Sequence, residues 1–480
     1  MKDIKRFRVE LIEYLTNDSL LKELTESVTI VGSFHTKDDI SAFSDIDTIV
    51  IVKKLNKILY DQILNLFKSI SLDRFGLTGY EVIVNPTFGP LKFNKENALV
   101  FHVMIYDIDG HRKHVVDSPF TCYEWQQFSP ITGKALYDIY PSNALSLDDI
   151  AGSRRSFKSY LTDLDKQSIT YRSYQFNEDE FTEVKNSFEL DQKHQMEYAY
   201  HICKFLMLNI MKILYQKPIN YNDDELADIF SKQDAALELT KESFQQLSYL
   251  KRSGELFQIN SLQNIRTQVQ IISDWFHNLV KSLPRVHFYR HLPTALNDGR
   301  FLGSLTNPDI LSSQIEPNES LELCFSSELT RAISTAALLA DCEKVATSLL
   351  NEINYGKAEG LTYHELKNQF PHVIAAWNNN EDIPFPEGEN LEDVANRLNL
   401  FIEKYILDSP YINIGVVTHN VVLRVLLSKL FSIPLWQCYR FQIPHGEPIS
   451  CHVWNKTLIP AFTAEQRIKF REQYLEWKAQ

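Results

Sequence analysis

The spacing of apolar positions changes twice along the chain. From Ser27 to Asp109 the apolar runs are short and β-branched, at Val28–Val31, Asp47–Val52, Tyr80–Val84 and Ala98–Asp107, with a helical period over Leu55–Ile70 between them. This texture predicts α/β structure, preceded by a charged amphipathic helix that opens at Met1-Lys2-Asp3-Ile4-Lys5-Arg6-Phe7. From about Ser142 to Ser282 long segments with apolar residues at helical spacing take over, clearest at Met196–Leu214 and Ser261–Val280, and predict a helical bundle. After Pro284 short strands return at Val286–Tyr289, Leu321–Phe325 and Ile412–Val417, alternating with helices over Glu328–Ala340 and Asn390–Ile406. An α/β multidomain protein is expected, with domains over residues 1–141, 142–284 and 285–480.

Composition narrows the function classes. A chain of 480 residues exceeds what one core organises, in keeping with several domains. Hydrophobic residues at 44% and charged residues at 23% are ordinary for a soluble globular protein and exclude extended disorder. A net charge of −13 argues against non-specific nucleic-acid binding and against anionic membranes, since both need a basic surface. The six cysteines form no CxxC pair and no zinc-site spacing, so free thiols are expected. Without an apolar h-region or a spanning apolar run, a cytoplasmic protein with no membrane segment is expected.

In the last third, Val286-His287-Phe288-Tyr289 runs into Arg290-His291, which places an imidazole and a guanidinium at the carboxyl end of a strand, where parallel α/β sheets bind ligands. Phosphoryl transfer needs a nucleophile, cations around the equatorial oxygens and an acid for the leaving alkoxide. Ser326-Ser327-Glu328-Leu329-Thr330-Arg331 offers a second Arg at a helix start, Asn351-Glu352-Ile353 a carboxylic acid, and Thr418-His419-Asn420 a second strand-end imidazole. In this order, over Val286 to Trp454, these segments resemble the histidine phosphatase superfamily, the phosphoglycerate-mutase-like fold. The resemblance implies a three-layer α/β/α domain that hydrolyses phosphomonoesters without a cofactor. It implies that His291 forms a phosphohistidine, that Arg290, Arg331 and His419 hold the phosphoryl group, and that Glu352 protonates the leaving oxygen and then activates water. Thr294, Asn297, Arg300 and Gly303 fall where the family's first loop continues, Thr294 and Asn297 as phosphate-binding positions. Pro386-Glu387-Gly388-Glu389-Asn390, followed by Arg397, matches a structural stretch. Leu292, Pro293 and Asn420 depart from the pattern, the first and last standing where the family has glycine.

Near the N-terminus, Thr29-Ile30-Val31-Gly32-Ser33 ends a strand in a Gly-Ser turn, and Ser44-Asp45-Ile46-Asp47 follows. Asp45 and Asp47 stand two apart on a strand, so their carboxylates share a face and can share Mg²⁺. This resembles the polymerase-β-like nucleotidyltransferase superfamily over Val28 to Tyr140, a small mixed-sheet domain that a helical bundle often follows. The resemblance implies that Gly32 and Ser33 contact the phosphates of an NTP while Asp45 and Asp47 hold Mg²⁺. The third functional residue stays open between His102 and Glu81, with Asp107 a further candidate.

His194, His201 and His277 lack a metal-ligand partner at helical spacing, His35 and Asp38 read as exposed loop residues, and His445 reads as a turn histidine, with a place in the pocket lining as the alternative. Asn222-Asp223-Asp224-Glu225 reads as a helix cap. The expected function is a bifunctional enzyme that uses an NTP and a phosphorylated small molecule. The alternative is a regulatory or defence protein whose nucleotidyltransferase senses nucleotide or modifies a macromolecule.

Overall fold

A computed structural model describes residues 4–35, 45–89, 97–152, 157–177, 180–253, 260–296, 298–311 and 314–476. Asn297, Ser44 and Asp38 lie outside the described residues, as does the side chain of His194. The chain divides into two compact units, one formed by residues 1–142, 149–210 and 218–275, the other by residues 143–148, 211–217 and 276–480. The stretch expected to form a separate helical domain is thus shared between the two units.

The first unit is built on strands β1 (Ser27–Val31), β2 (Ile46–Val52), β3 (Glu81–Asn85), β4 (Ala98–Asp107) and β5 (Thr132–Gly133). They form a mixed sheet in the order β3-β4-β2-β1-β5, in which β2 runs parallel to β4 and antiparallel to β1. Apolar residues of β1, β2 and β4 are buried together with Leu11 of the N-terminal helix (Ile4–Thr16) and Phe67 of the helix Lys57–Lys68. That burial follows the short β-branched runs in the sequence, because continuous apolar runs suit strands covered on both faces.

Between residues 168 and 189 the structure corrects the sequence reading. Strands β6 (Ser168–Asn177) and β7 (Glu180–Glu189) pair as an antiparallel hairpin where only helices are expected. Its aromatic residues Tyr174, Phe176 and Phe181 contact one another, and Tyr174 also contacts Tyr60 and Phe88. Alternation within ten-residue strands carries that contact, and the helical periods on either side mask it. The long helices flanking the later part are present at Gln192–Tyr215 and Asn260–Ser282, and the helix Asp223–Ser231 begins with the expected cap, in which Asn222 and Glu225 exchange hydrogen bonds. No described helix is long and apolar enough to cross a membrane.

The second unit contains β8 (Arg285–Arg290), β9 (Leu323–Ser326), β10 (Glu343–Ala346), β11 (Asn413–Thr418), β12 (Pro448–Trp454) and β13 (Thr457–Pro460). Their order is β10-β9-β11-β8-β12-β13, with the first four parallel and the last two antiparallel. The apolar residues of β11 are fully buried, as befits the middle of a parallel sheet. The carboxyl ends of β9, β11 and β8 therefore lie abreast, and the segments that leave them carry the polar residues of the site.

Candidate functional site

Register brings the two histidines together. Arg290 at the end of β8 pairs with Thr418 at the end of β11, and the next backbone amide, that of His291, donates to Thr418 O at 3.0 Å. The imidazoles of His291 and His419 consequently lie with ring centroids 5.0 Å apart. His291 Nδ1–H donates to Leu292 O at 2.7 Å, which leaves the lone pair on Nε2. Burial pushes His291 down to about 3, with the charges of Arg331 and Arg290 adding to the shift, so the ring is neutral at ordinary pH.

Arg331, on the first turn of the helix Thr330–Leu339 that follows β9, is fully buried. Its Nη1 and Nη2 donate to Thr306 O and Gly303 O, each at 2.8 Å, and its Nε donates to His419 Nδ1 at 3.3 Å. Three of the five guanidinium N–H groups are engaged, and two remain. Because His419 Nδ1 accepts, the proton of that ring sits on Nε2 and points at Ser327 Oγ, 2.6 Å away. Arg331 thereby sets the tautomer of His419, and Ser327, to which the sequence assigns no role, accepts its proton. Burial holds His419 well below the ordinary imidazole range. Arg290 donates one Nη1 hydrogen to Ile443 O at 2.8 Å, while its Nε is buried with no hydrogen-bond partner among the described residues.

Glu352 is brought in from the segment after β10. Its carboxylate accepts from the Ile353 amide at 3.0 Å and from the Val421 amide at 3.2–3.3 Å, at the start of the helix Asn420–Leu430. Burial raises its pKa, although those two amides and the charge of Arg331 pull the other way. A carboxyl group whose pKa is raised keeps its proton to higher pH and is suited to donating it. The stretch around Gly388 braces this segment: Glu389 accepts from the Asn354 amide at 2.8 Å and pairs with Arg397 at 3.0 Å. Glu359 accepts from the amides of Gly303 and Thr306, the two residues whose carbonyls Arg331 grips, so it orders the loop that holds that arginine.

The leucine at the glycine position does not crowd the site. Leu292 is not among the residues with positive φ, its amide donates to Thr335 Oγ1 at 2.9 Å, and its side chain turns toward Gly446. A Cβ on Gly446 would come within 3.3 Å of Leu292 Cδ2. The residue beside that glycine takes the second of the two places open to it. His445 lines the site, its Nδ1–H donating to His291 O and its ring centroid 5.4 Å from that of His291. Thr294 is buried and bridges to Ile310, whereas Arg300 is exposed and bonds Gly360 O and Glu365.

A separate cluster occupies the first unit. Asp45, Asp47 and His102 bring one donor atom each to within 4.8 Å of one another. Register again decides: Asp47 on β2 faces His102 on β4, and His102 Nδ1 lies 2.8 Å from Asp47 Oδ1. His102 Nε2 lies 2.7 Å from Thr87 O. Both partners are acceptors, so this ring carries both protons. Burial opposes that charge, but the hydrogen bond to Asp47 and the charges of Asp47 and Asp45 outweigh it and raise the pKa. Gly32, with φ +76°, opens the turn Gly32–His35 that contains Ser33, and a Cβ on Gly32 would stand 3.1 Å from Asp47 Oδ2. The Gly-Ser turn thus runs against the paired carboxylates. Glu81 opens β3 as an exposed residue outside the cluster, and Asp107 caps the helix Ile108–Asp117.

Residues 312–456 match the family model of the histidine phosphatase superfamily (branch 1). The adenosylcobalamin/alpha-ribazole phosphatase of Escherichia coli (strain K12) is 27% identical over 176 residues, which cover 34% of this chain and 86% of that protein. Phosphoserine phosphatase 1 of Hydrogenobacter thermophilus is 27% identical over 166 residues, 32% of this chain and 78% of that protein. A 2,3-bisphosphoglycerate-dependent phosphoglycerate mutase of Methylobacterium sp. is 32% identical over 120 residues, 23% of this chain and 57% of that protein. Among solved structures, the alpha-ribazole phosphatase of Shigella flexneri is 24% identical, covers 38% of this chain and 96% of that chain, and has a TM-score of 0.34.

Proposed function

Because the C-terminal region is a histidine phosphatase domain, we propose that it hydrolyses a phosphomonoester through a phosphohistidine on His291. The observation that carries this reading is the neutral, buried His291, with Nε2 unprotonated, beside two guanidiniums and a carboxyl group whose acid form is favoured. His291 Nε2 attacks phosphorus and the bond from phosphorus to the ester oxygen breaks. Glu352 gives its proton to the departing alkoxide, while Arg290 and Arg331 hold the equatorial oxygens, joined by His419 when its Nε2–H turns from Ser327 Oγ to the phosphoryl group. Water then attacks the phosphohistidine, Glu352 takes up its proton, and inorganic phosphate leaves. Two arginines supply the charge for these steps, so the reading calls for no metal. His291→Ala is expected to abolish hydrolysis of p-nitrophenyl phosphate and the acid-labile label left by a rapid quench. Hydrolysis at the original rate in that variant would overturn the assignment.

For the first unit we propose Mg²⁺-dependent nucleotidyl transfer from an NTP, on the strength of the Asp45–Asp47 pair set against the Gly32–Ser33 turn. The two carboxylates fit a hard cation, whereas the imidazole does not supply a third ligand, since both its nitrogens already face acceptors. Mg²⁺ held by Asp45 and Asp47 would neutralise charge on the attacking and leaving oxygens of an in-line displacement. His102 orients Asp47 through its charged hydrogen bond, and Ser33 meets the nucleotide phosphates. Release of pyrophosphate from an NTP, dependent on added Mg²⁺, tests this part. The acceptor class separates metabolism from the regulatory or defence reading: transfer onto a macromolecule alone would favour the latter.

A further inference from the structure

Arg290 does more than face the catalytic cluster, because it also lines a cavity of about 360 Å³ together with Asn420, Arg424, Gln442 and Lys469. Among the described residues, no acidic side chain lines this cavity. Arg424 gives Nε to Phe441 O at 2.8 Å, and among the described residues neither Arg424 nor Lys469 takes part in an ion pair. Arg424 lies close enough to Arg290 to help push it down to about 10, after burial itself and against the opposing charge of Glu352. Like charges gathered at one hollow without a counter-charge repel each other unless an anion enters.

One phosphoryl group does not account for all of these cations. Arg290, Arg331 and His419 already surround His291, so Arg424 and Lys469 are in excess of what the reacting group needs. Two lining residues also fall outside the family pattern. Lys469 belongs to the helix Ala464–Glu476, beyond the residues 312–456 that match the family model. Asn420, standing where the resemblance expects glycine, has a buried side-chain oxygen with no hydrogen-bond partner among the described residues.

We infer that this cavity is an anion subsite of the phosphatase, and that the substrate is a phosphomonoester with a second anionic group, carboxylate or phosphate, gripped by Arg424 and Lys469. The inference rests on the phosphohistidine reading for the identity of the first group. Its test does not need turnover. Calorimetry on the full chain would compare 3-phosphonopropionate with propylphosphonate, which differ in a carboxylate against a methyl group, and propane-1,3-diphosphonate would show which second anion fits better. Wild-type protein is expected to bind the carboxylate-bearing or the doubly phosphonate probe about tenfold more tightly than propylphosphonate. Lys469→Gln, at an exposed position, should reduce that ratio roughly fivefold, and Arg424→Gln should reduce it further, with thermal melting as the check on folding. A wild-type ratio near one for both probes, or a ratio unaltered in well-folded Lys469→Gln, would overturn the subsite. If no phosphate ester is hydrolysed, the phosphohistidine reading fails instead, and the binding ratios still judge the cavity.

Discussion

Replacing Glu352 by glutamine separates its acid role from its structural one. The carboxylate accepts from two backbone amides, Ile353 N on Oε1 and Val421 N between both oxygens. A glutamine carbonyl placed at Oε1 keeps both acceptor contacts, so the segment should hold its place and stability should change by less than about 1 kcal/mol. The exchangeable carboxyl proton is lost. General-acid donation contributes about 10²–10⁴-fold, or about 3–5 kcal/mol of barrier. An alkyl phosphate, whose leaving alkoxide must be protonated, should show that loss in kcat/KM. For p-nitrophenyl phosphate, whose phenolate departs unaided, the loss should be smaller, though still present, because the same group activates water in the second step. The two esters would be compared under steady-state conditions, and the phosphoenzyme level followed after rapid quench. Accumulation of phosphohistidine in Glu352→Gln with the activated ester would locate the defect in hydrolysis. Wild-type rates on both esters would remove Glu352 from the mechanism and turn attention to Glu359 and Glu389, whose carboxylates are engaged with backbone amides and with Arg397.

Two further outcomes follow from the same geometry. The working form has His291 unprotonated and Glu352 protonated; with His291 lowered to about 3 and Glu352 raised, kcat/KM for an alkyl phosphate should stay high in acid and fall as rising pH strips Glu352 of its proton. A profile that falls on acidification through the ordinary imidazole range near about 6.5 would contradict the neutral nucleophile. In the first unit, Asp45→Asn and Asp47→Asn should each abolish Mg²⁺-dependent pyrophosphate release while leaving phosphatase activity intact, since the two chemistries use separate residues. Loss of phosphatase activity in either variant would instead reveal coupling or misfolding.

Much of the site was legible in the sequence because its residues occupy the ends of strands, and strands announce themselves locally. The β-branched runs ending at Arg290 and Thr418, and the apolar run before Ser326, identify elements within a few residues of the observed bounds, and the polar residues that follow each run are its strand-end residues. Local pattern does not report which residues become neighbours when distant segments pair. Which of His102 and Glu81 stands beside Asp47 is such a case: the register sets Asp47 opposite His102 and leaves Glu81 exposed at the start of β3. His445 reaches His291 from a loop far along the chain, Ser327 finds the tautomeric proton of His419, and Lys469 meets Arg290 at one cavity. The hairpin β6–β7 was hidden for a related reason. Its partly buried aromatic residues find partners where Tyr174 meets Tyr60 and Phe88, so their apolar side chains acquire a reason to alternate only after the chain has folded back on itself. Periodicity is a property of one segment and can be read from it. Register, proton placement and the gathering of like charges belong to pairs of segments, and only packing decides them.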